Sequence, residues 1–109
     1  MNRGDVYAAA TGSGFGAKPR PVVLVNAQRY LGLSIKLVAP LSRELAYLPD
    51  LRPIIEPDAR NNLRLRSVVM VDVLVAVPER KFGERIGKLT PADLARVDAA
   101  ITAILGLAG

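Results

Sequence analysis

The sequence predicts a small β-rich barrel that is closed by one C-terminal helix. Several short runs of β-branched and aliphatic residues are separated by prolines and glycines, a pattern that favours a small barrel over an alternating βαβ fold. Apolar residues recur at helical spacing only in the last part of the chain. A length of 109 residues fits one domain, which we expect to span residues 1–109.

The first predicted strands lie in the N-terminal third. Residues 5–9 form a short strand, and residues 21–25 are an apolar, β-branched run of strand length. Residues 11–19, with glycine at three positions, form a flexible loop between them. A turn or short helical excursion over residues 26–32 leads to residues 33–38, whose initial apolar–polar alternation predicts a half-buried strand.

The middle of the chain predicts an edge strand, an arginine face and a buried centre. Residues 52–57 contain two prolines, which suit a short strand at a sheet edge. Residues 63–66 alternate Leu and Arg, which predicts a strand with Arg64 and Arg66 on one face. Residues 67–77 are the most apolar segment and predict two strands or one long bent strand.

The C-terminal helix is the best-defined predicted element. Thr90 is placed as its N-cap, Pro91 as its first residue, and Asp93 where an acidic side chain favours a helix N-terminus. Gly106 is placed to end it. One buried stripe is predicted from helical spacing, made of Leu94, Val97, Ile101 and Ile104.

The charge balance favours an anionic partner. Fifteen Lys and Arg against ten Asp and Glu give a net charge of +5. The resulting pI of about 10.1 is typical of a nucleic-acid-binding domain. A merely basic globular protein, a membrane-surface binder and a binder of an acidic protein remain open on charge alone.

Two residue types are absent, and their absence restricts the chemistry. The sequence contains no cysteine and no histidine. Disulfides, thiolate nucleophiles, most transition-metal sites and imidazole bases are thereby excluded, so we expect no metal and no cofactor. Catalysis would use Asp, Glu, Arg, Lys, Tyr, Ser or Thr. The N-terminus lacks a signal-peptide pattern, and the run 68–77 is too short to span a bilayer, so a cytoplasmic protein is expected.

Five short motifs resemble those of the MazF/PemK toxins, in the family's order and over nearly the whole chain. Residues 3–7, R-G-D-V-Y, resemble the family's opening strand, and residues 16–25 resemble its G-x-K-x-R-P-x-V-V strand. The remaining three are V-A-P-L-S at 38–42, V-M-V-D at 69–72 and R-I-G-K-L-T at 85–90. No single motif is specific, but the R-P-x-V-V strand, the later P-L-S and the I-G-x-L-[ST] entry to the helix are fairly specific as a set.

The resemblance implies both a fold and a function. The fold is an SH3-like barrel of the CcdB/PemK type, mainly β, with a C-terminal helix. The function is that of a type II toxin: a metal-independent, sequence-selective endoribonuclease that cleaves single-stranded mRNA. The 2′-hydroxyl would attack, leaving 2′,3′-cyclic phosphate and 5′-hydroxyl ends. The implied partners are a second copy of the chain and a short, acidic, partly disordered antitoxin, with no membrane involved.

The resemblance also assigns candidate site residues. Arg20 corresponds to the family's catalytic arginine, whose fork can hold two phosphate oxygens. Ser42 corresponds to a serine or threonine that donates to phosphate. Asp72 corresponds to an acid–base or substrate-binding aspartate. A carboxylate within an apolar run is equally well explained as a capping or ion-paired structural group.

Four further residues are predicted to bind RNA. Lys18 lies beside Arg20, and Arg64 and Arg66 can follow the RNA backbone. Phe15, at the tip of the glycine loop, can stack on a base. The alternatives are a solvated strand face for the arginines and a tucked-in ring for Phe15.

Departures from the family pattern keep two alternatives open. Asp72 is followed by Val73 where glutamine is typical, and the loop over residues 11–17 lacks the usual His or Glu. One alternative is a CcdB-like toxin that poisons DNA gyrase, although CcdB relies on a C-terminal Trp-Gly-Ile and this chain has no Trp. The other is a catalytically inactive homologue that binds nucleic acid.

Overall fold

The computed structural model describes residues 1–11, 18–44 and 50–107. Within these residues one α-helix, α1, spans Pro91–Ile104. Short 3-10 turns occur at Gln28–Tyr30, Val71–Val73 and Glu79–Lys81. The strands are β1 (Asp5–Ala9), β2 (Arg20–Leu24), β3 (Ile35–Ser42), β4 (Ile54–Ile55), β5 (Ser67–Val69), β6 (Val75–Pro78) and β7 (Phe82–Lys88).

The strands form one curled antiparallel sheet, in which β3 is the central element. The order is β4-β5-β3-β2-β1-β7, and β6 also pairs with β3. The start of β3 pairs with β6, its middle with β2 and its end with β5. One long strand therefore has different partners along its length, which curls the sheet into a half-barrel closed by α1. This confirms the predicted fold class.

Two apolar clusters form the core, and both are rich in valine. One includes Val23, Val69 and Val97, so it joins the sheet to α1. The other includes Val22, Val38 and Val77. Because only 5% of the residues are aromatic, close packing of β-branched side chains supplies most of the buried area.

Several predicted elements are confirmed. The edge strand over residues 52–57 is β4, which ends the order of the sheet. Residues 67–77 contain two strands, β5 and β6, separated by the 3-10 turn Val71–Val73. The short helical excursion predicted within residues 26–32 is the 3-10 turn Gln28–Tyr30.

Strand β3 is half-buried, but the apolar side chains of its first part face outward. Ile35 and Leu37 are 55% and 47% exposed, whereas Lys36 and Val38 are buried. The Lys36 ammonium donates to the Leu33 carbonyl, which gives the buried charge a polar partner. Pairing with both neighbours sets which side of β3 faces the core, so hydropathy alone does not decide it.

The prediction of a strand over residues 63–66 is wrong. The segment has no regular secondary structure, and Leu65 is 51% exposed. The preceding turn is the cause, because the buried Asn61 carboxamide oxygen accepts the backbone N–H groups of Asp58 and Leu63. Asn62 adopts a left-handed φ of 53°. These local bonds replace ladder bonds to a neighbouring strand.

Strand β7 was not predicted. Its sequence, F-G-E-R-I-G-K, contains two glycines and three charged residues, which are poor strand formers. Pairing with β1 stabilises it despite this composition. Gly87 is required there, because a Cβ at this position would lie 2.3 Å from the Arg60 carbonyl oxygen.

Helix α1 begins and ends as predicted. The Thr90 hydroxyl accepts the N–H of Asp93 at 3.1 Å, and Gly106 has a φ of +71° just beyond the helix. The predicted stripe is wrong at Ile104, which is 38% exposed, while Ala100 is buried. The helix packs on the 3-10 turn Val71–Val73.

None of the helices in the described ranges combines the length and apolar character needed to cross a membrane.

Candidate active site

A cleft of about 910 Å³ lies where the start of β2, the end of β3, residues 62–67 and β7 meet. Its described lining includes four arginines, two glutamates and two serines. The arginines are Arg20, Arg43, Arg64 and Arg85, the glutamates Glu44 and Glu84, and the serines Ser42 and Ser67. More cationic than anionic groups face the cleft, which suits it to an anionic ligand such as a phosphodiester.

Sheet register brings Arg20 and Ser42 together at this cleft. Val22 stands opposite Pro40, and Val23 opposite Ala39. The β2–β3 pairing covers residues 22–24 and 38–40, and Arg20 and Ser42 lie two residues beyond it, at the start of β2 and the end of β3. Two residues twenty-two positions apart in the sequence therefore line the same cleft.

The Ser42 hydroxyl is oriented by its own loop. Its oxygen accepts the backbone N–H of Glu44 at 3.1 Å. Because a hydroxyl accepts through its lone pairs and donates through its hydrogen, this bond leaves the hydrogen available for a ligand in the cleft. Ser42 can therefore donate to a phosphate oxygen beside Arg20.

Arg85 is a cleft residue that the sequence analysis did not single out. Nη2 of Arg85 lies 3.3 Å from Oδ1 of Asp5, a residue that is only 2% exposed. The Asp5 carboxylate raises the pKa of Arg85 through this hydrogen bond and through its charge. Oδ2 of Asp5 also accepts the backbone N–H of Asn2 at 2.9 Å. A buried carboxylate thus holds the guanidinium at the cleft.

The two arginines of residues 63–66 lie in different surroundings in the structure. Arg64 lines the cleft, whereas Arg66 lies outside its lining. Arg66 binds Glu56 through Nε at 2.9 Å and Nη2 at 2.7 Å. This bond lowers the pKa of the Glu56 carboxyl and raises the pKa of Arg66, both on the exposed surface.

The loop residues predicted to bind RNA are not placed in the cleft. Lys18 is exposed and outside the cleft lining, two residues from Arg20. Phe15 lies outside the described residues. The RNA-binding roles of both residues stay predictions.

Asp72 lies away from the cleft and is ion-paired. Both of its oxygens accept from Arg52, from Nε and from Nη2, each at 2.9 Å. The Arg52 hydrogen bond holds the pKa of the Asp72 carboxyl below its usual range. This pairing supports the structural interpretation that the sequence left open, and an acid–base role for Asp72 stays a prediction.

No group of three or more acidic side chains within the described ranges has the arrangement needed to hold a metal ion.

The curled sheet, the C-terminal helix and the arginine-lined cleft are the features by which the protein can be assigned to a class. The sequence matches the family model of PemK-like, MazF-like toxins of type II toxin–antitoxin systems over residues 2–105. The chain belongs to this family.

Individual relatives agree in sequence and in fold. The chain is 35% identical over 109 residues to a probable endoribonuclease MazF from Mycolicibacterium smegmatis, covering 100% of both chains. The Mycobacterium tuberculosis toxin MazF-mt6 has a similar structure, with a TM-score of 0.79 at 23% identity over 94% of this chain and 96% of that chain. An endoribonuclease solved with its cognate antitoxin from a mycobacterial species gives a TM-score of 0.78 at 20% identity, covering 100% and 98%. At these identities the two structures show the fold.

Proposed function

We propose that this chain is the endoribonuclease toxin of a type II toxin–antitoxin pair and that it cleaves single-stranded RNA without a metal ion. The observation that carries the proposal is the presence of Arg20 and Ser42 in one cleft that is lined by further arginines. The 35% identical relative named as a probable endoribonuclease supports the same activity. The MazF-like family match does not favour the gyrase-poisoning alternative.

RNA supplies its own nucleophile, the 2′-hydroxyl, so the protein has to orient this group and stabilise the transition state of its attack on phosphorus. Arg20 holds two non-bridging phosphate oxygens with its planar fork. Ser42 donates to one of them, and both contacts strengthen as negative charge grows on the pentavalent phosphorus. In-line attack by the 2′-oxygen then expels the 5′-oxygen and leaves a 2′,3′-cyclic phosphate. Arg64 and Arg85 bind the neighbouring backbone.

Two protein partners follow from the surface. The basic cleft suits a short acidic antitoxin, and a structural relative has been solved with its cognate antitoxin. The exposed apolar side chains at the start of β3 suit a second copy of the chain. They are Tyr30, Leu33, Ile35 and Leu37, and we call them the β3 apolar face. We further propose that residues 1–109 act as one toxin domain in the cytoplasm.

The test is incubation of the purified protein with a long single-stranded RNA in EDTA, beside two arginine variants. Arg20→Ala removes the phosphate contact and should abolish cleavage. Arg80→Ala is the matched control, because Arg80 is exposed and outside the cleft lining. We expect fragments with 2′,3′-cyclic phosphate ends from the wild type and from Arg80→Ala. Cleavage by Arg20→Ala at the wild-type rate would contradict the site.

Intact RNA in all reactions would contradict the activity. RNA binding without products would then identify the inactive homologue left open by the sequence. Cleaved complexes of DNA with gyrase, in a separate assay, would identify the CcdB-like alternative.

A further inference from the structure

Attack by the 2′-oxygen requires a group that takes the hydroxyl proton. The sequence has no histidine and no cysteine, so a carboxylate is the side chain best suited to act as base near neutral pH. Asp72 is held by Arg52 outside the cleft. Among the described residues, the carboxylates that line the cleft are Glu44 and Glu84.

The backbone of β7 is irregular at Glu84. Glu84, Arg85 and Ile86 are consecutive, yet all three line the cleft. A regular strand directs successive side chains to opposite faces, so it would present only alternate residues. The register between β7 and β1 shifts on both sides of Tyr7. These shifts interrupt the regular alternation of side chains along β7. Such bulges re-aim side chains and are frequent next to active sites.

The sheet places Glu84 near the phosphate position proposed for Arg20. Ala9 in β1 is paired with Arg20 on one side and with Phe82 of β7 on the other. Glu84 follows Phe82 by two residues. Strands β2 and β7 therefore flank β1, about 10 Å apart in backbone position. Residues of both strands line the same cleft, which a phosphodiester held by Arg20 would occupy.

Glu84 is better placed for this role than Glu44. Glu84 lies within β7 between Phe82 and Arg85, which are both paired with β1, so the backbone on either side of it is held by the sheet. Glu44 follows the end of β3, and its backbone N–H is bonded to the Ser42 hydroxyl. A catalytic group on a paired strand is held more accurately than one on a loop.

We propose, on the basis of the function proposed above, that Glu84 is the general base of RNA cleavage. Its carboxylate takes the proton of the 2′-hydroxyl while the 2′-oxygen forms its bond to phosphorus. The bond between phosphorus and the 5′-oxygen breaks, and the 5′-oxygen takes a proton from water. Glu84 then returns its proton to solvent, so no water is consumed and the enzyme is regenerated.

The experiment measures single-turnover cleavage of a short single-stranded RNA in EDTA, as a function of pH. The variants are Glu84→Gln, Glu84→Asp, Glu44→Gln and the control Glu79→Gln, which is exposed and outside the cleft lining. Glu84→Gln should lose at least about 100-fold in rate, since a general base contributes roughly 10²- to 10⁴-fold. Its binding to a cleavage-resistant 2′-O-methyl RNA should be equal or tighter, because a negative charge has been removed.

The pH profile separates a base from a residue of structural importance. The wild type and Glu84→Asp should both lose rate as pH falls through the range where a carboxylate protonates, and Glu84→Gln should lack that limb. Thermal unfolding of Glu84→Gln at the wild-type temperature shows that the fold is retained. If Glu84→Gln fails to fold, Glu84→Asp still decides through its pH limb, whose absence would overturn the proposal.

Three other outcomes would overturn the assignment. One is a cleavage rate of Glu84→Gln equal to that of an active wild type. This result would overturn the role of Glu84 but would not contradict the proposed function. Another is a 100-fold loss in Glu44→Gln instead. The third is recovery of Glu84→Gln on RNA with a 5′-sulfur leaving group, which needs no proton, because that result would make Glu84 the acid. Failure of the wild type to cleave would overturn both proposals.

Discussion

Arg20, at the start of β2, and Ser42, at the end of β3, line one cleft, so the pairing of these two strands brings a cation and a hydroxyl donor to the same site. The Ser42 oxygen accepts the Glu44 N–H, which leaves the hydroxyl hydrogen available to a ligand. Arg20 and Ser42 are the centre of the proposed active site. Substitution of Ser42 measures its contribution to cleavage.

Ser42→Ala should reduce the rate of RNA cleavage by about 100-fold, the typical effect of removing one donor to a developing negative charge. Ser42→Thr should keep most of the activity, because the hydroxyl is retained. Single-turnover cleavage in EDTA is the measurement, with Ser34→Ala, at an exposed site outside the cleft lining, as control. A Ser42→Ala rate within twofold of the wild type would remove Ser42 from the site.

Arg64 and Arg66 should differ in their contribution to RNA binding. Arg64 lines the cleft, whereas Arg66 is bonded to Glu56. Each phosphate contact to a single strand contributes about 0.7 to the slope of log affinity against log salt concentration. Arg64→Ala should lower the slope by about that amount, and Arg66→Ala by less. Fluorescence anisotropy with a 2′-O-methyl RNA measures both, and equal losses would contradict the separation.

The Asp72–Arg52 pair should stabilise the fold in a pH-dependent way. Arg52 holds the pKa of Asp72 below the usual value, so the stabilisation is complete above about pH 4 and is lost as pH falls through the folded pKa. Asp72→Asn should lower the free energy of unfolding at pH 7 by up to about 1 kcal/mol. Urea denaturation should show this difference shrinking below pH 4.

The same variant tests the role of Asp72 in catalysis. Because Asp72 lies outside the cleft lining, Asp72→Asn should cleave RNA within a few-fold of the wild-type rate. A loss of 100-fold or more would restore the acid–base role implied by family resemblance.

Gly87→Ala should destabilise the fold strongly. The added Cβ would lie 2.3 Å from the Arg60 carbonyl oxygen and 2.7 Å from the Asn61 carbonyl carbon, and both are backbone atoms that cannot rotate away. We expect a loss of about 3 kcal/mol in the free energy of unfolding. Gly32→Ala is the control, because its Cβ would meet nothing within 4 Å. Equal stability of the two variants would contradict the close approach.

The β3 apolar face should mediate self-association. Leu37→Asp introduces a charge into this face and should convert a dimer to a monomer, because burial of an unpaired charge costs free energy. Sedimentation velocity is the measurement, and Ala92→Asp on the exposed first turn of α1 is the control. A wild-type monomer, or a Leu37→Asp dimer, would place the proposed contact elsewhere or remove it.

Local physical chemistry explains which elements could be predicted. Thr90, Pro91 and Gly106 carry cap signals that act within one turn of helix, and the helix begins and ends where they indicate. The apolar strands β1 and β2 are likewise evident from hydropathy. Strand β7 was missed because its residues are poor strand formers, and its pairing with β1 supplies what its own sequence lacks.

The residues of the candidate site likewise divide into those that the sequence predicted and those that only the structure identified. Arg20 and Ser42 were expected from family resemblance, since each lies in a recognisable motif. Glu84 and Arg85 lie in a charged segment that is typical of an ordinary solvated surface, and the sequence does not show the two register shifts of β7 that accompany their presence in the cleft lining.

By itself, the sequence determined the strand-rich class, the bounds of α1, the excess of positive charge and the exclusion of imidazole and thiolate chemistry. These properties depend on composition or on contacts between near neighbours in the chain. Only the tertiary structure decided which face of β3 is buried, that Asp72 pairs with Arg52, and that Glu84 shares a cleft with Arg20. Those outcomes depend on strand register and on ion pairing, and both are set by contacts between residues far apart in the sequence.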